Sequence, residues 1–432
     1  MTATRGRSST FAALRVANFR LYIAGQAISL VGTWMQSIAI AWLVLELGGS
    51  GSLLGLVVAV QFLPVLLFGA YAGLVVDRRD KRRLLFATQA AFALLALGLG
   101  AIVEADVARL WMVFAFALLF GCVNALDNPA RQTFLTEMVG AEHLQNAVSL
   151  NSALVSASRA IGPALAGALI ALVGVGVCFL ANAASFLAVL LALYAMDAGA
   201  LHRAPPVPPA RGQLREGLRH VRATPSLLVP LLMMALIGTL AYEFQVVLPL
   251  LARETFHGGA ETFGFMTAAS GVGAVVGGLW VASRKETGLL PLTGTAVLFG
   301  AAIFIAVLAP TLATVVIALA LVGLGGTAFL ATGNSTLQLS TGPRFRGRVM
   351  ALWSVTFLGS TPIGGPIVGA VSQYLGPRAG LAIGGLACVA AAGLGLAALR
   401  RMPPADRVIG APPTAPAPSL EPPSVEAELP KL

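Results

Sequence analysis

Charge is what this sequence has least of. Only 11% of its 432 residues are Asp, Glu, Lys or Arg, where a soluble globular domain carries roughly 25%. The deficit runs along nearly the whole chain, so most of its surface faces something other than water. Histidine and cysteine are scarcer still. Four histidines (His143, His202, His220, His257) are scattered in loops, and three cysteines (Cys122, Cys178, Cys388) each sit inside an apolar run. Neither set implies a metal cluster or a disulfide framework. A G-x-x-x-x-G-K-[ST] phosphate loop is missing, which argues against coupling to ATP. Nucleophile constellations are missing too, so the expectation is not an enzyme. The net charge of +10 comes without a basic patch interleaved with aromatics, which argues against nucleic acid. Period-two alternation is absent, which argues against an outer-membrane barrel.

What is present is apolar runs of membrane-crossing length. About 20 apolar residues as a helix cross the hydrocarbon core, and a helix pairs its own backbone groups there. The runs predict twelve spans: 21–47, 53–76, 84–103, 110–127, 147–171, 177–197, 227–251, 263–282, 289–309, 312–337, 349–375 and 379–399. The predicted organisation is a cytoplasmic leader (1–20), a six-helix bundle (21–197), a cytoplasmic linker (198–226), a second six-helix bundle (227–400) and a disordered tail (401–432). Within the linker, Gln213 to Arg222 reads as a short basic amphipathic helix lying on the membrane face. The first run is too long for a signal-peptide core and lacks a convincing cleavage site. With the N-terminus inside, 24 Lys/Arg fall on the cytoplasmic side and three (Arg109, Arg253, Arg378) outside, leaving Arg159 within a span. That asymmetry predicts a multi-pass inner-membrane protein with both termini cytoplasmic.

The halves repeat. Asn146 and Arg348, each heading a span, stand 202 positions apart; Gly162-Pro163 and Gly365-Pro366 stand 203 apart, and Gly73-Leu74 and Gly278-Leu279 205 apart. One six-helix unit used twice predicts two bundles rocking about a midplane site.

Gly73-Leu74-Val75-Val76-Asp77-Arg78-Arg79-Asp80-Lys81-Arg82-Arg83 links the second and third spans. It resembles the major facilitator pattern G-x-x-x-D-R-x-G-R-R, with Asp80 where that family usually has Gly. The resemblance implies a cytoplasmic latch built from Gly73, Asp77, Arg78, Lys81 and Arg82, with the eleventh span and Arg344, Arg346 and Arg348 as partners. Position 282, the counterpart of Asp77, is Ala, so such a latch is one-sided. Ser158-Arg159-Ala160-Ile161-Gly162-Pro163-Ala164-Leu165-Ala166-Gly167 resembles the antiporter motif G-x-x-x-G-P-x-x-G-G, with Ser158 and Ala166 in place of two glycines. Gly162 and Gly167 permit close helix approach, and Pro163 removes a backbone hydrogen bond.

Charged and polar residues inside spans are candidate site residues. Arg159 lies roughly 18 Å into the fifth span; its candidate partners are Asp127, at the end of the fourth, and an anionic substrate. Glu243 is the one acidic residue well inside a second-half span, a candidate for reversible proton uptake. Gln36, Trp34 and Asn124 join them in an apolar setting suited to a hydrophobic or amphipathic ligand.

Further strings carry a closer likeness: Asn18-Phe19-Arg20-Leu21-Tyr22, Gly32-Thr33-Trp34-Met35-Gln36, Asp127-Asn128-Pro129-Ala130-Arg131-Gln132, Asn146-Ala147-Val148 and Arg346-Gly347-Arg348-Val349. They resemble the enterobactin-exporter-like, or transmembrane secretion effector, branch of the major facilitator superfamily. The resemblance covers roughly residues 10–400. It implies an all-α polytopic membrane protein of the major facilitator fold, with twelve helices in two pseudo-symmetric bundles. The implied activity is export of siderophores, antibiotics or related metabolites. Energy would come from the proton motive force with no cofactor, and partners would be a small-molecule substrate and the lipid bilayer, the chain acting as a monomer. Import or lipid flipping on the same scaffold, and more remotely a membrane-embedded sensor or enzyme, are the alternatives.

Overall fold

The computed structural model describes residues 11–202, 213–284, 286–403 and 407–409. The side chains of Asp77 and Arg344, among a few others, lie outside the described set. Twelve helices are long and apolar enough to cross a membrane. We number them in chain order as spans 1 to 12. Spans 1 to 6 are Ala17–Glu46, Gly51–Arg78, Lys81–Glu104, Leu110–Gly140, Glu142–Val173 and Val175–Ala195. Spans 7 to 12 are Pro225–Thr255, Ala260–Ser283, Leu289–Leu308, Leu312–Ser340, Phe345–Leu375 and Pro377–Arg401. Apart from one isolated bridge between Thr287 and Ile409, the described residues contain no strand pairing.

All twelve expected spans exist, but the fourth is longer than expected. It was predicted to stop at 127 and runs to Gly140, where φ 66° and ψ −178° turn the chain into span 5. Charge misled the boundary. Arg131 and Glu137 continue the helix because each is neutralised in place: Arg131 by Asp127 at 2.7 Å, Glu137 by Lys81 at 2.8 Å. Charges therefore mark where this helix leaves hydrocarbon, not where it ends. Asp80 departs from the familiar glycine because it caps span 3, its carboxylate accepting the Arg83 N–H at 3.0 Å.

Two spans are broken. Span 7 is helical over Pro225–Leu240, loses the pattern at Ala241–Glu243, and resumes over Phe244–Leu250 with a π turn at Leu251–Thr255. Span 11 consists of Pro343–Leu358 and Thr361–Leu375, parted at Gly359-Ser360. Their counterparts in the first half, spans 1 and 5, are unbroken.

The linker piece Gln213–Ala223 is a helix, and its His220 ring stacks on Phe345 at 4.1 Å. Residues 203–212 and 410–432 lie outside the described residues. The tail corrects one expectation. It was read as disordered from 401, yet Arg407–Ile409 hydrogen-bonds back onto the hairpin between spans 8 and 9: Thr287 N–H donates to Ile409 O at 3.0 Å and Ile409 N–H to Thr287 O at 2.7 Å.

Both described chain ends fall on one face of the bundle, here the terminal face; the other is the distal face. The two halves are joined tightly toward the distal face. Span 2 meets span 11 backbone to backbone: a Cβ on Gly51 would stand 2.8 Å from Gly369 O, and one on Gly55 would collide with Gly365 O. Span 5 meets span 8 in the equivalent seam. There a Cβ on Gly264 would stand 2.6 Å from Pro163 O, and one on Gly271 2.7 Å from the Ala160 Cα. Two clasps reinforce the closure. Arg253 donates to Leu45 O at 2.6 Å and Ser52 N–H to Gln373 Oε1 at 3.1 Å. Toward the terminal face span 2 loosens, and a Cβ on Gly73 would meet nothing within 4 Å. The molecule is shut on one side and open on the other.

Candidate functional site

Between the halves lies a cavity of about 690 Å³. First-half helices supply most of its wall, including Trp34, Asn124, Asp127 and Arg131, while Gln245 of span 7 reaches in from the second half. Phe62, Phe92, Phe120 and Phe186 give it an apolar, aromatic surface. Such walls with a few placed polar groups suit an amphipathic guest.

Near the mouth, Asp127 is 2% exposed and fully engaged. One carboxylate oxygen accepts from Thr88 Oγ1 at 2.7 Å and Gln89 Nε2 at 2.8 Å, the other from Arg131 Nε at 3.2 Å and Nη2 at 2.7 Å. Arg131 Nη1 also donates to Gln26 Oε1. This corrects the expected pairing of Arg159 with Asp127. Asp127 and Arg131 stand four residues apart on one helix face, where such pairs meet, and the site is filled before Arg159 can enter.

Arg159 is elsewhere, at the closed end. Its guanidinium carbon sits 5.3 Å from the centre of the Trp34 ring, a cation–π stack. Among the described residues Arg159 makes no hydrogen bond and no ion pair. Gln36 does not face a guest; its Oε1 accepts from Asn182 Nδ2 at 2.7 Å, and Asn182 in turn accepts from Ser185 Oγ at 2.9 Å. Asn124 lines the cavity.

The antiporter-like motif divides its contacts. A Cβ on Gly162 would come within 2.6 Å of the Trp34 Cβ, so that glycine lets span 5 lie against span 1. Pro163 and Gly167 face the other half, on Gly264 and Ala260 of span 8. The motif thus joins the cavity wall to the seam.

Lys81 and Arg82 of the basic motif between spans 2 and 3 bind inside their own half. Lys81 pairs with Glu137 at 2.8 Å. Arg82 donates to the last carbonyls of span 6, Leu193 O at 2.7 Å and Tyr194 O at 3.0 Å, a favourable place for a cation. Arg78 is exposed, and the Asp77 side chain lies outside the described set. Of the suggested partners on span 11, Arg346 is exposed and Arg348 lies over Phe345 at 5.3 Å, while the Asp77 and Arg344 side chains of the expected latch lie outside the described residues.

Glu243 sits in the break of span 7, 4% exposed, apart from the cavity wall. It faces the second segment of span 11: a Cβ on Gly364 would stand 2.9 Å from its Oε1, and one on Gly365 3.7 Å from Oε2. Oε1 has no hydrogen-bond partner among the described residues. Sequence reasoning missed Arg131, Gln89 and Thr88 as site residues. The i, i+4 spacing of Asp127 and Arg131 was the available signal for the first; nothing in the sequence marks the other two.

Two pseudo-equivalent bundles, shut at one face around an amphipathic cavity, define the fold of the major facilitator superfamily. The chain belongs to the transmembrane secretion effector family of that superfamily, whose pattern it matches over residues 8–429. It is 27% identical to a staphyloferrin A transporter of Staphylococcus aureus over 60% of this chain, spanning 65% of that protein's length. It is 24% identical to macrolide efflux protein A of Streptococcus pyogenes over 79% of this chain and 86% of that one. Among solved structures, a bacterial homologue of the lysosomal transporter Spinster superposes with a TM-score of 0.71 at 16% identity, covering 91% of this chain and 98% of the other. That last likeness shows the fold alone.

Proposed function

We propose that the protein exports small hydrophobic or amphipathic molecules from the cytoplasm, by proton antiport through alternating access. The carrying observation is the one-sided closure: glycine seams shut the distal face while an amphipathic cavity of about 690 Å³ stands on the open side. With basic residues concentrated on the terminal face, that face is the cytoplasmic one. The cavity then loads from inside, the sense an exporter needs. The relative named for macrolide efflux supports the direction. Glu243 supports proton coupling. It lies enclosed between two broken helices, 4% exposed, with its Oε1 unpartnered among the described residues. A carboxyl that changes charge there would alter how spans 7 and 11 fit. The protein acts as a monomer in the inner membrane, powered by the proton motive force.

The test uses everted vesicles with an imposed proton gradient and a panel of siderophores, dyes and antibiotics. Accumulation abolished by a protonophore is the expected result. Glu243→Gln protein should bind substrate yet fail to concentrate it; Glu243→Gln protein that still accumulates substrate against the gradient removes the proton role.

A further inference from the structure

The charges around the cavity do not cancel. Among the described lining residues, the charged side chains are Asp127 and Arg131, and they neutralise one another. Asp127 cannot serve a cationic guest without surrendering one of four donors already in place. Glu243 lies off the cavity wall, against Gly364 and Gly365. Arg159 is the exception. It is half-buried, stacked on the cavity-lining Trp34, and without an anion of its own. One turn before it on span 5, Val155 lines the cavity; directly beyond it, Ala160 packs on Gly271 and closes the seam. A lone guanidinium thus stands one helical turn beyond the cavity-lining Val155 and against the cavity-lining Trp34, without itself being part of the lining. A cation inside a membrane span is costly unless something compensates it, and among the described residues no carboxylate compensates this one.

We propose that the cavity takes an anionic amphiphile. Its apolar body lies along the phenylalanine-lined wall and its carboxylate, or a comparable oxyanion, seats on Arg159. The planar fork of Arg suits a two-oxygen anion, and the Trp34 face holds that fork without using its N–H donors. The guest therefore supplies the missing counter-charge. This deepens the export reading by naming the substrate's charge, and rests on it only in taking this cavity for the substrate site.

Equilibrium binding tests it without reference to direction or coupling. The full-length protein in phosphatidylcholine nanodiscs is titrated with a dansylated undecanoic acid and with its methyl ester, protein-free discs being subtracted. The acid should bind at least about tenfold tighter than the ester, as expected for one charge-assisted contact. In Arg159→Gln that ratio should fall toward one, and in Arg159→Lys it should partly return. Equal affinities in the unaltered protein overturn the proposal even if no variant folds. So does a ratio that survives Arg159→Gln. Repeating the titration with phosphatidylglycerol in the disc identifies the source of the anion: competition marks a lipid headgroup as occupant, and undiminished acid binding marks a free metabolite. Failure of the vesicle assay with a preserved acid preference would sink export alone.

Discussion

The same six-helix unit, used twice, has become two different objects. The first half holds the charge. Asp127, Arg131, Gln26, Thr88 and Gln89 form one network and Gln36, Asn182 and Ser185 a second, while its spans 1 and 5 run unbroken. The second half holds the bends. Spans 7 and 11 are parted at Ala241–Glu243 and Gly359-Ser360, and its buried polar contacts are threonine hydroxyls such as Thr287 and Thr336 at 2.9 Å. A buried ion-pair network demands fixed geometry, whereas a helix break is where a span changes direction cheaply. The comparison teaches a division of labour: one half presents a stiff, prearranged wall to the guest, and the other carries the joints that move past it.

The largest effect should come from wedging the halves apart. Gly55→Leu would drive a side chain into Gly365 at the seam between stiff and jointed halves. Vesicle uptake should drop at least about tenfold, because losing a close-packed contact costs upward of about 1.4 kcal/mol in the closed state. Uptake within twofold of the unaltered protein would show that the seam is not needed. Next is Asp127→Ala. It strands the partly buried Arg131, 24% exposed, and should lower unfolding stability by about 3 kcal/mol, the low end for a broken buried pair, seen as a lowered melting temperature in nanodiscs. Thr336→Val in the second half removes a hydroxyl–hydroxyl contact and should cost only about 1 kcal/mol. A cost matching that of Asp127→Ala would erase the contrast between halves. The smallest effect is expected at Gly73→Ala, where the added methyl meets open space. Stability should move by no more than about 0.5 kcal/mol. A marked fall in transport without a fall in stability would reveal that Gly73 is packed closely in the opposite conformation.

The sequence made the spans and their pairing legible because both are one-dimensional signals. Apolar run length places Leu289–Leu308 almost to the residue, and near-constant offsets announce the duplication. The site was less legible. Depth along a span can be counted from residue numbers, but the direction a side chain faces needs its neighbours. Arg159 was placed by counting from 147, whereas the helix opens at Glu142, and only the packing of Gly162 on span 1 turns it onto Trp34. The break in span 7 was invisible for a related reason. Ala241-Tyr242-Glu243 contains neither Gly nor Pro, and its conformation is imposed by span 11, whose Gly364 presses on Thr239 O.

The fastened ends of the described residues give the molecule a built-in ruler. At one end Ala13 N–H donates to Asn146 Oδ1 at 2.9 Å, anchoring the leader to span 5. At the other Ile409 is hydrogen-bonded to Thr287 beside span 9. Each end rides with its own bundle on the same face of the membrane. Fluorophores placed next to Phe11 and Ile409 would therefore report the separation of the two bundles directly. Their distance should shorten each time the open mouth shuts, giving a stopwatch for the transport cycle that needs no knowledge of the cargo.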